Sequence, residues 1–164
     1  MKTIILICIL CLCGCAYNLT DYVPTDEEFL TVIESLDTPE KIVNYMSENF
    51  TYKLNWFAYS PYQMWLLNTQ DKYGDCNDYS TWAIFVAHYH GYEVYQIMIS
   101  ASYGLHALGV FVEDGYSYSD VWIYHPIHAK TFQDIVNHHI ETRGVTLNSY
   151  KVYDYDMNLV EGGK

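Results

Sequence analysis

Basic residues are scarce in this chain. Lys and Arg together number 8 against 20 Asp and Glu, a formal charge of -12, so the cationic surface that displaces counterions from a nucleic-acid backbone is missing. Cysteine is nearly absent from the body of the chain: four of the five, Cys8, Cys11, Cys13 and Cys15, fall in the first fifteen residues, and only Cys76 lies beyond them. The apolar run Ile4 to Leu12 is too short to span a bilayer stably. There is no internal repeat and no low-complexity tract, and no calcium-loop spacing among the acidic residues. His88 and His90, two apart on an expected helix, point different ways, and the adjacent His138 and His139 have the same fault, so neither pair is a chelating motif. No metal or cofactor is called for.

What is present starts with the N-terminus. Met1-Lys2-Thr3 precedes the short apolar run, which has the length of a signal-peptide core. Its end, Leu12-Cys13-Gly14-Cys15, resembles a bacterial lipobox, with Cys15 as the residue to be lipidated and to become the mature N-terminus. The expected organisation is a lipoprotein signal peptide over 1–14, a polar tether over 15–24 containing Pro24, and one domain over 25–164. That places the protein at the cell envelope, held to the membrane by its N-terminal lipid. With Cys15 capped, Cys76 has no intramolecular disulfide partner. The 18 tyrosines suit core and wet-rim packing, where the ring is buried and the hydroxyl finds a partner.

Within the domain, Thr25 and Glu28 form a capping-box pattern ahead of Phe29, Val32, Ile33 and Leu36 at helical spacing. Thr38 and Pro39 open a second helix, with Ile42, Val43, Met46 and Phe50 as its buried stripe. Ser60-Pro61 opens a third. From Asn77 the chain is apolar on nearly every helical side until Gly91, the pattern of a central buried helix with a left-handed cap. Strands are expected over 92–100, 105–113 and 116–125, the last two joined by a hairpin at Asp114-Gly115, then a helix over 132–140 and a strand over 150–155. Helices first and antiparallel strands second argue an α+β fold.

The chemistry concentrates at Lys72-Tyr73-Gly74-Asp75-Cys76-Asn77-Asp78-Tyr79. A thiol at the mouth of a helix meets unpaired backbone N–H groups and the positive end of the helix dipole, both of which favour thiolate over thiol. Asp75 and Asp78 suit local capping. His106, entering a strand that would lie beside the central helix, is the candidate base.

Gly74-Asp75-Cys76-Asn77-Asp78-Tyr79, the helix to His90-Gly91-Tyr92, then His106-Ala107 and Trp122-Ile123-Tyr124-His125-Pro126, resemble the transglutaminase-like superfamily, especially its bacterial cysteine-proteinase-like branch. Thr38-Pro39-Glu40 leading to Asn49-Phe50-Thr51-Tyr52, and Ser60-Pro61, fit the same pattern, so the resemblance covers about residues 38 to 155. It implies a papain-like core, a cysteine-bearing helix packed on an antiparallel sheet that carries histidine. It also implies a nucleophile at Cys76, a base at His106, and a peptide or glutamine substrate whose acyl group passes through a thioester to water or an amine. A non-catalytic envelope binding domain is the alternative. The third position departs from the family pattern. With a two-residue turn at Asp114-Gly115, alternation puts His125 on the face of His106 and Asp120 on the other, whereas a bulge would reverse the assignment. His125 is the expected orienting residue, and Asp120 the competitor. Gln70, six residues before Cys76, has the spacing at which papain-like peptidases carry an oxyanion donor.

Overall fold

The computed structural model describes residues 25–55, 58–68 and 73–164, with the backbone alone at 67–68. The expected signal peptide, the tether, Cys15 and Gln70 lie outside the described residues. Among the described residues, no helix is long and apolar enough to cross a membrane.

The helices form where their caps direct them. In α1 (Glu27–Ser35) the cap is Asp26 rather than Thr25: its Oδ1 accepts from the backbone N–H groups of Glu28 and Phe29, each at 3.0 Å. A carboxylate there also meets the positive end of the helix dipole, which a threonine hydroxyl does not exploit. α2 (Pro39–Asn49) starts as the sequence indicates, with Thr38 as cap and Pro39 in the first turn. A two-residue strand, β1 (Thr51–Tyr52), leads to α3 (Pro61–Asn68), and a second short strand, β2 (Tyr73–Gly74), pairs with β1 in parallel so that Tyr52 stands opposite Gly74. α4 (Cys76–Tyr89) is the central helix. Tyr79, Trp82, Ala83, Ile84, Val86 and Ala87 have no exposed surface, and each of its large apolar side chains contributes roughly 1.5–3 kcal/mol by full burial. Gly91, at φ +84°, turns the chain out of it.

The rest of the chain builds a sheet: β3 (Val94–Ala101), β4 (Gly104–Glu113), β5 (Gly115–Asp120), β6 (Ile123–Ala129), then α5 (Phe132–Arg143), β7 (Leu147–Asp154) and β8 (Leu159–Gly163). The strand order is β6-β5-β4-β3-β7-β8, antiparallel at every pair. The architecture is therefore α+β with an antiparallel sheet.

Strand alternation divides the core in two. On one face Val94 and Phe111 join the cluster of α1, α2 and α4, and Gln96 Nε2 donates to Ser80 Oγ of α4 at 2.7 Å. On the other, Ile97, Ile99, Leu108 and Val110 pack with Ile135 and Val136 of α5. The α4 layer lies very close to β4 at Gly109, where a Cβ would stand 2.8 Å from Ser119 Oγ and 3.3 Å from both Ala83 Cβ and the Ser80 carbonyl oxygen. Only glycine leaves room for that approach.

The expected strand over 116–125 is two strands. The chain reverses at Val121 and Trp122, with Val121 at φ +55°, and β5 pairs with β6 through Asp120↔Ile123, Ser119↔Tyr124 and Tyr118↔His125. No Gly, Pro or Asn marks this turn, so the turn chemistry gave no warning.

Candidate active site

Asp75 caps α4 and presents Cys76 at its first turn. The Asp75 side chain accepts from the Asn77 N–H at 3.0 Å, and Asp78 Oδ2 accepts from the Asp75 N–H at 3.0 Å, a reciprocal box. Asp78 is buried and also takes the Asn55 amide at 2.7 Å and the Tyr59 N–H at 2.8 Å, which ties Asn55 and Tyr59 to the mouth of the helix. Both acids are supports, as their positions indicated. Gly74 leaves room just before them, because a Cβ would fall 2.9 Å from Asp78 Cβ as well as against the flexible end of Met64. Cys76 is a free, half-buried thiol.

His106 comes from β4. It pairs with Ile99 and so points to the α5 face. The β4–β5 ladder stops at Gly109↔Ser119, leaving the β4 margin open toward β5 at His106, and Cys76 is near enough to the imidazole to favour its charged form. His106 Nε2 shares a proton with Asp120 Oδ1 at 2.7 Å, which leaves Nδ1 as the ring nitrogen available to the thiol.

The residue hydrogen-bonded to His106 is thus Asp120 and not His125. The expected register set Val112 opposite Ser117; the observed one sets Val112 opposite Tyr116, and Glu113 opposite Gly115. A one-residue slip exchanges the two faces of a strand, and this one carries Asp120 to the face of His106. His125 shares that face but sits one strand further out, on β6, where its ring stacks on Tyr118 at 4.4 Å.

Asp120 is nearly sealed from solvent at 3% exposure. Its Oδ2 accepts from Arg143 Nη2 at 2.6 Å and Nε at 3.1 Å, with His139 Nδ1 at 3.4 Å. Burial opposes its ionisation, but hydrogen bonds from His106, His139 and Arg143 outweigh it and hold the carboxyl well below the usual carboxylate range. Burial likewise works against a charged His106, yet the bonds to Asp120 and to Cys76 lift the imidazole to about 9. His139 stacks on the His106 ring at 5.2 Å and meets Tyr103 Oη through Nε2 at 2.9 Å.

His139 and Arg143 escaped the sequence reading. They lie four apart on α5, hence on one helical face, and that i, i+4 pair of nitrogen donors was the available signal. Pairing His139 with its neighbour His138 obscured it: His138 turns to Tyr118 Oη, 2.8 Å from its Nδ1.

No protein-family model matches the chain, and no curated protein matches it.

The functional reading therefore rests on geometry. His106, Asp120 and His139 bring ligand atoms within 4.8 Å of one another, which makes them the group among the described residues to test for a metal. Two observations oppose it. Ligands at about 2.0–2.1 Å from a tetrahedral zinc stand about 3.3 Å apart, whereas His106 and Asp120 are at hydrogen-bonding distance, and the Arg143 guanidinium already occupies the second carboxylate oxygen. Beside the triad opens a cleft of about 540 Å³ lined by Tyr52, Tyr103, His106, Asp120, Trp122 and Arg143 among others. Leu54, Tyr103, Leu105, Trp122 and Ile123, all with much of their surface exposed, gather around this one cleft, as apolar groups at a binding site do.

Proposed function

We propose that the protein is a lipid-anchored, transglutaminase-like cysteine enzyme of the cell envelope, with Cys76 as nucleophile, His106 as general base and acid, and Asp120 as the group that orients and charges His106. The observation that carries this reading is the Cys76–His106–Asp120 series, in which a β4 imidazole is hydrogen-bonded to a buried carboxylate at 2.7 Å and is raised by the helix-mouth thiol beside it. That is the arrangement expected of a papain-like core, and it arises from residues far apart in sequence.

In the proposed reaction the Cys76 proton already rests on His106 Nδ1, in keeping with an imidazole lifted to about 9, and sulfur attacks as the thiolate at the carbonyl carbon of a peptide or of a glutamine side chain. The carbonyl π pair moves onto oxygen and returns when the C–N bond breaks, and the amine leaves with the proton from His106. The thioester on Cys76 then yields to water or to a second amine, with His106 again moving the proton. Asp120 stabilises the imidazolium through both halves. The apolar rim of the cleft suits an acyl donor with apolar side chains beside the reacting group. A carboxylate beside His106, rather than the neutral ring of His125, favours turnover over the non-catalytic alternative.

The test is to incubate the protein with an apolar glutamine-containing peptide at pH 7 and follow ammonia release, and amine incorporation when a primary amine is added. Turnover that disappears in Cys76→Ala and His106→Ala supports the proposal. Turnover that persists in Cys76→Ala removes it.

A further inference from the structure

Arg143 is the only arginine of the chain, and it is anchored. Nε and Nη2 both donate to Asp120 Oδ2, at 3.1 and 2.6 Å, which engages one side of the planar fork. The other edge, Nη1 with the second Nη2 hydrogen, has no hydrogen-bond partner among the described residues. A guanidinium whose whole task was to hold Asp120 could be sealed in with it. Instead the Arg143 side chain is 46% exposed where that of Asp120 is 4% exposed, and Arg143 forms part of the cleft wall.

The cleft is otherwise short of charge. Among the described residues Asp120 is its one acidic lining residue, with both oxygens engaged, and no lysine lines it. Tyr103, Leu105 and Trp122 give it an apolar rim. A planar fork with two parallel N–H groups matches the two oxygens of a carboxylate, and because Asp120 already fixes the guanidinium, little side-chain freedom is lost when a ligand binds. We propose that the free edge of Arg143 is a carboxylate-binding subsite, which selects acyl donors that carry a carboxylate close to the reacting carbonyl. This rests on the enzyme reading above and names a feature of its substrate.

The spacing follows from the carboxylate that Arg143 and His106 share. Asp120 bonds the guanidinium through one oxygen at 2.6 Å and the imidazole through the other at 2.7 Å, so the fork and the ring are separated by a single carboxyl group. An extended chain advances about 3.5 Å per residue, which places a carboxylate on the fork within about three residues of a carbonyl beside His106. A chain-terminal carboxylate and an acidic side chain both meet that requirement, and both present the same two oxygens to the fork.

Binding tests the subsite without turnover. With the full-length protein carrying Cys76→Ala, calorimetry at pH 7 compares acetyl-Leu-Gln-Leu-Leu with a free terminal carboxylate, the same peptide as its amide, and acetyl-Leu-Gln-Leu-Glu amide, whose carboxylate is on a side chain. At least one carboxylate peptide is expected to bind about tenfold or more tightly than the neutral amide, and the tighter of the two identifies the source of the group. Arg143→Gln on the same background is expected to abolish the difference. Raising the salt to 0.5 M should narrow it while Arg143 is in place, a reading that stands even if Arg143→Gln does not fold. Equal binding of charged and neutral peptides, no binding of any of the three, a preference that survives Arg143→Gln, or one that salt leaves intact would overturn the proposal. Absence of Cys76-dependent turnover in the wild type would remove the enzyme reading without touching this comparison, so the two failures are told apart.

Discussion

Replacing Asp120 by Asn retains the shape of the side chain and removes its charge. The carboxylate is 3% exposed and bonds His106 on one oxygen and Arg143 on the other, so the amide must turn an N–H group toward one of two donors. The rise of the imidazole from its ordinary 6.5 to about 9 corresponds to roughly 3 kcal/mol in favour of the charged ring. Asp120 and Cys76 share that preference, with Asp120 providing the larger part. In Asp120→Asn the His106 midpoint, read from NMR titration of the ring, is expected to fall by about one pH unit or more. Turnover is expected to drop about 10²–10⁴-fold, because an amide that faces the ring with N–H selects the wrong tautomer. Stability should also fall. A His raised above its unfolded value contributes fully below about pH 6.5 and loses that contribution as pH rises through about 9. A carboxyl held below its unfolded value contributes above about pH 4 and loses it as pH falls further. The difference in denaturation midpoint between wild type and Asp120→Asn should therefore be greatest between about pH 4 and 6.5 and shrink as pH rises from about 6.5 to 9. An unmoved His106 midpoint with wild-type turnover would refute the assignment of Asp120.

His125→Ala is expected to leave the His106 titration in place while lowering thermal stability by about 1–3 kcal/mol, since the ring stacks on buried Tyr118; loss of turnover without loss of stability would contradict this. Gly109→Ala should destabilise the fold by about 1–3 kcal/mol, because its Cβ meets Ser119, Ala83 and the Ser80 carbonyl between α4 and β4, and a neutral denaturation midpoint would show that the two layers are not packed there as described. Leu105→Asp, which puts a charge on the apolar rim, should raise KM for an apolar acyl donor at least tenfold with kcat changed little, whereas an unchanged KM would mean that the cleft is not where substrate lies. Cys15→Ser should abolish incorporation of labelled lipid and detergent partitioning, and retained labelling would remove the proposed anchor.

Much of the fold was legible because local chemistry and tertiary need agree. Thr38-Pro39 and Ser60-Pro61 start helices where they should, and the unbroken apolar surface of α4 announces a helix buried between others. Cys76 stood out as the candidate nucleophile for the same local reason, its place at a capped helix mouth. The neighbour of His106 did not, because it depends on register. Glu113 and Gly115 pair directly, so the chain turns one residue more tightly than Asp114-Gly115 suggests, and the second hairpin at Val121-Trp122 carries no turn residue. Short of structure, nothing in the alternation of Tyr, Ser and Val through this stretch fixes a side to within one residue. His139 and Arg143 were harder still: α5 is joined to the site only by the sheet folding under it, and its i, i+4 pair acquires meaning once a carboxylate is known to face it.

The central claim is that His106 acts on the Cys76 thiol, and the rate of Cys76 alkylation tests it most directly. Iodoacetamide modification, followed at pH 6 by mass spectrometry of the peptide that contains Cys76, should be at least about tenfold faster in the wild type than in His106→Ala, because a charged imidazole beside the sulfur favours its ionised form. Equal rates in the two proteins from pH 5 to 8 would contradict the account.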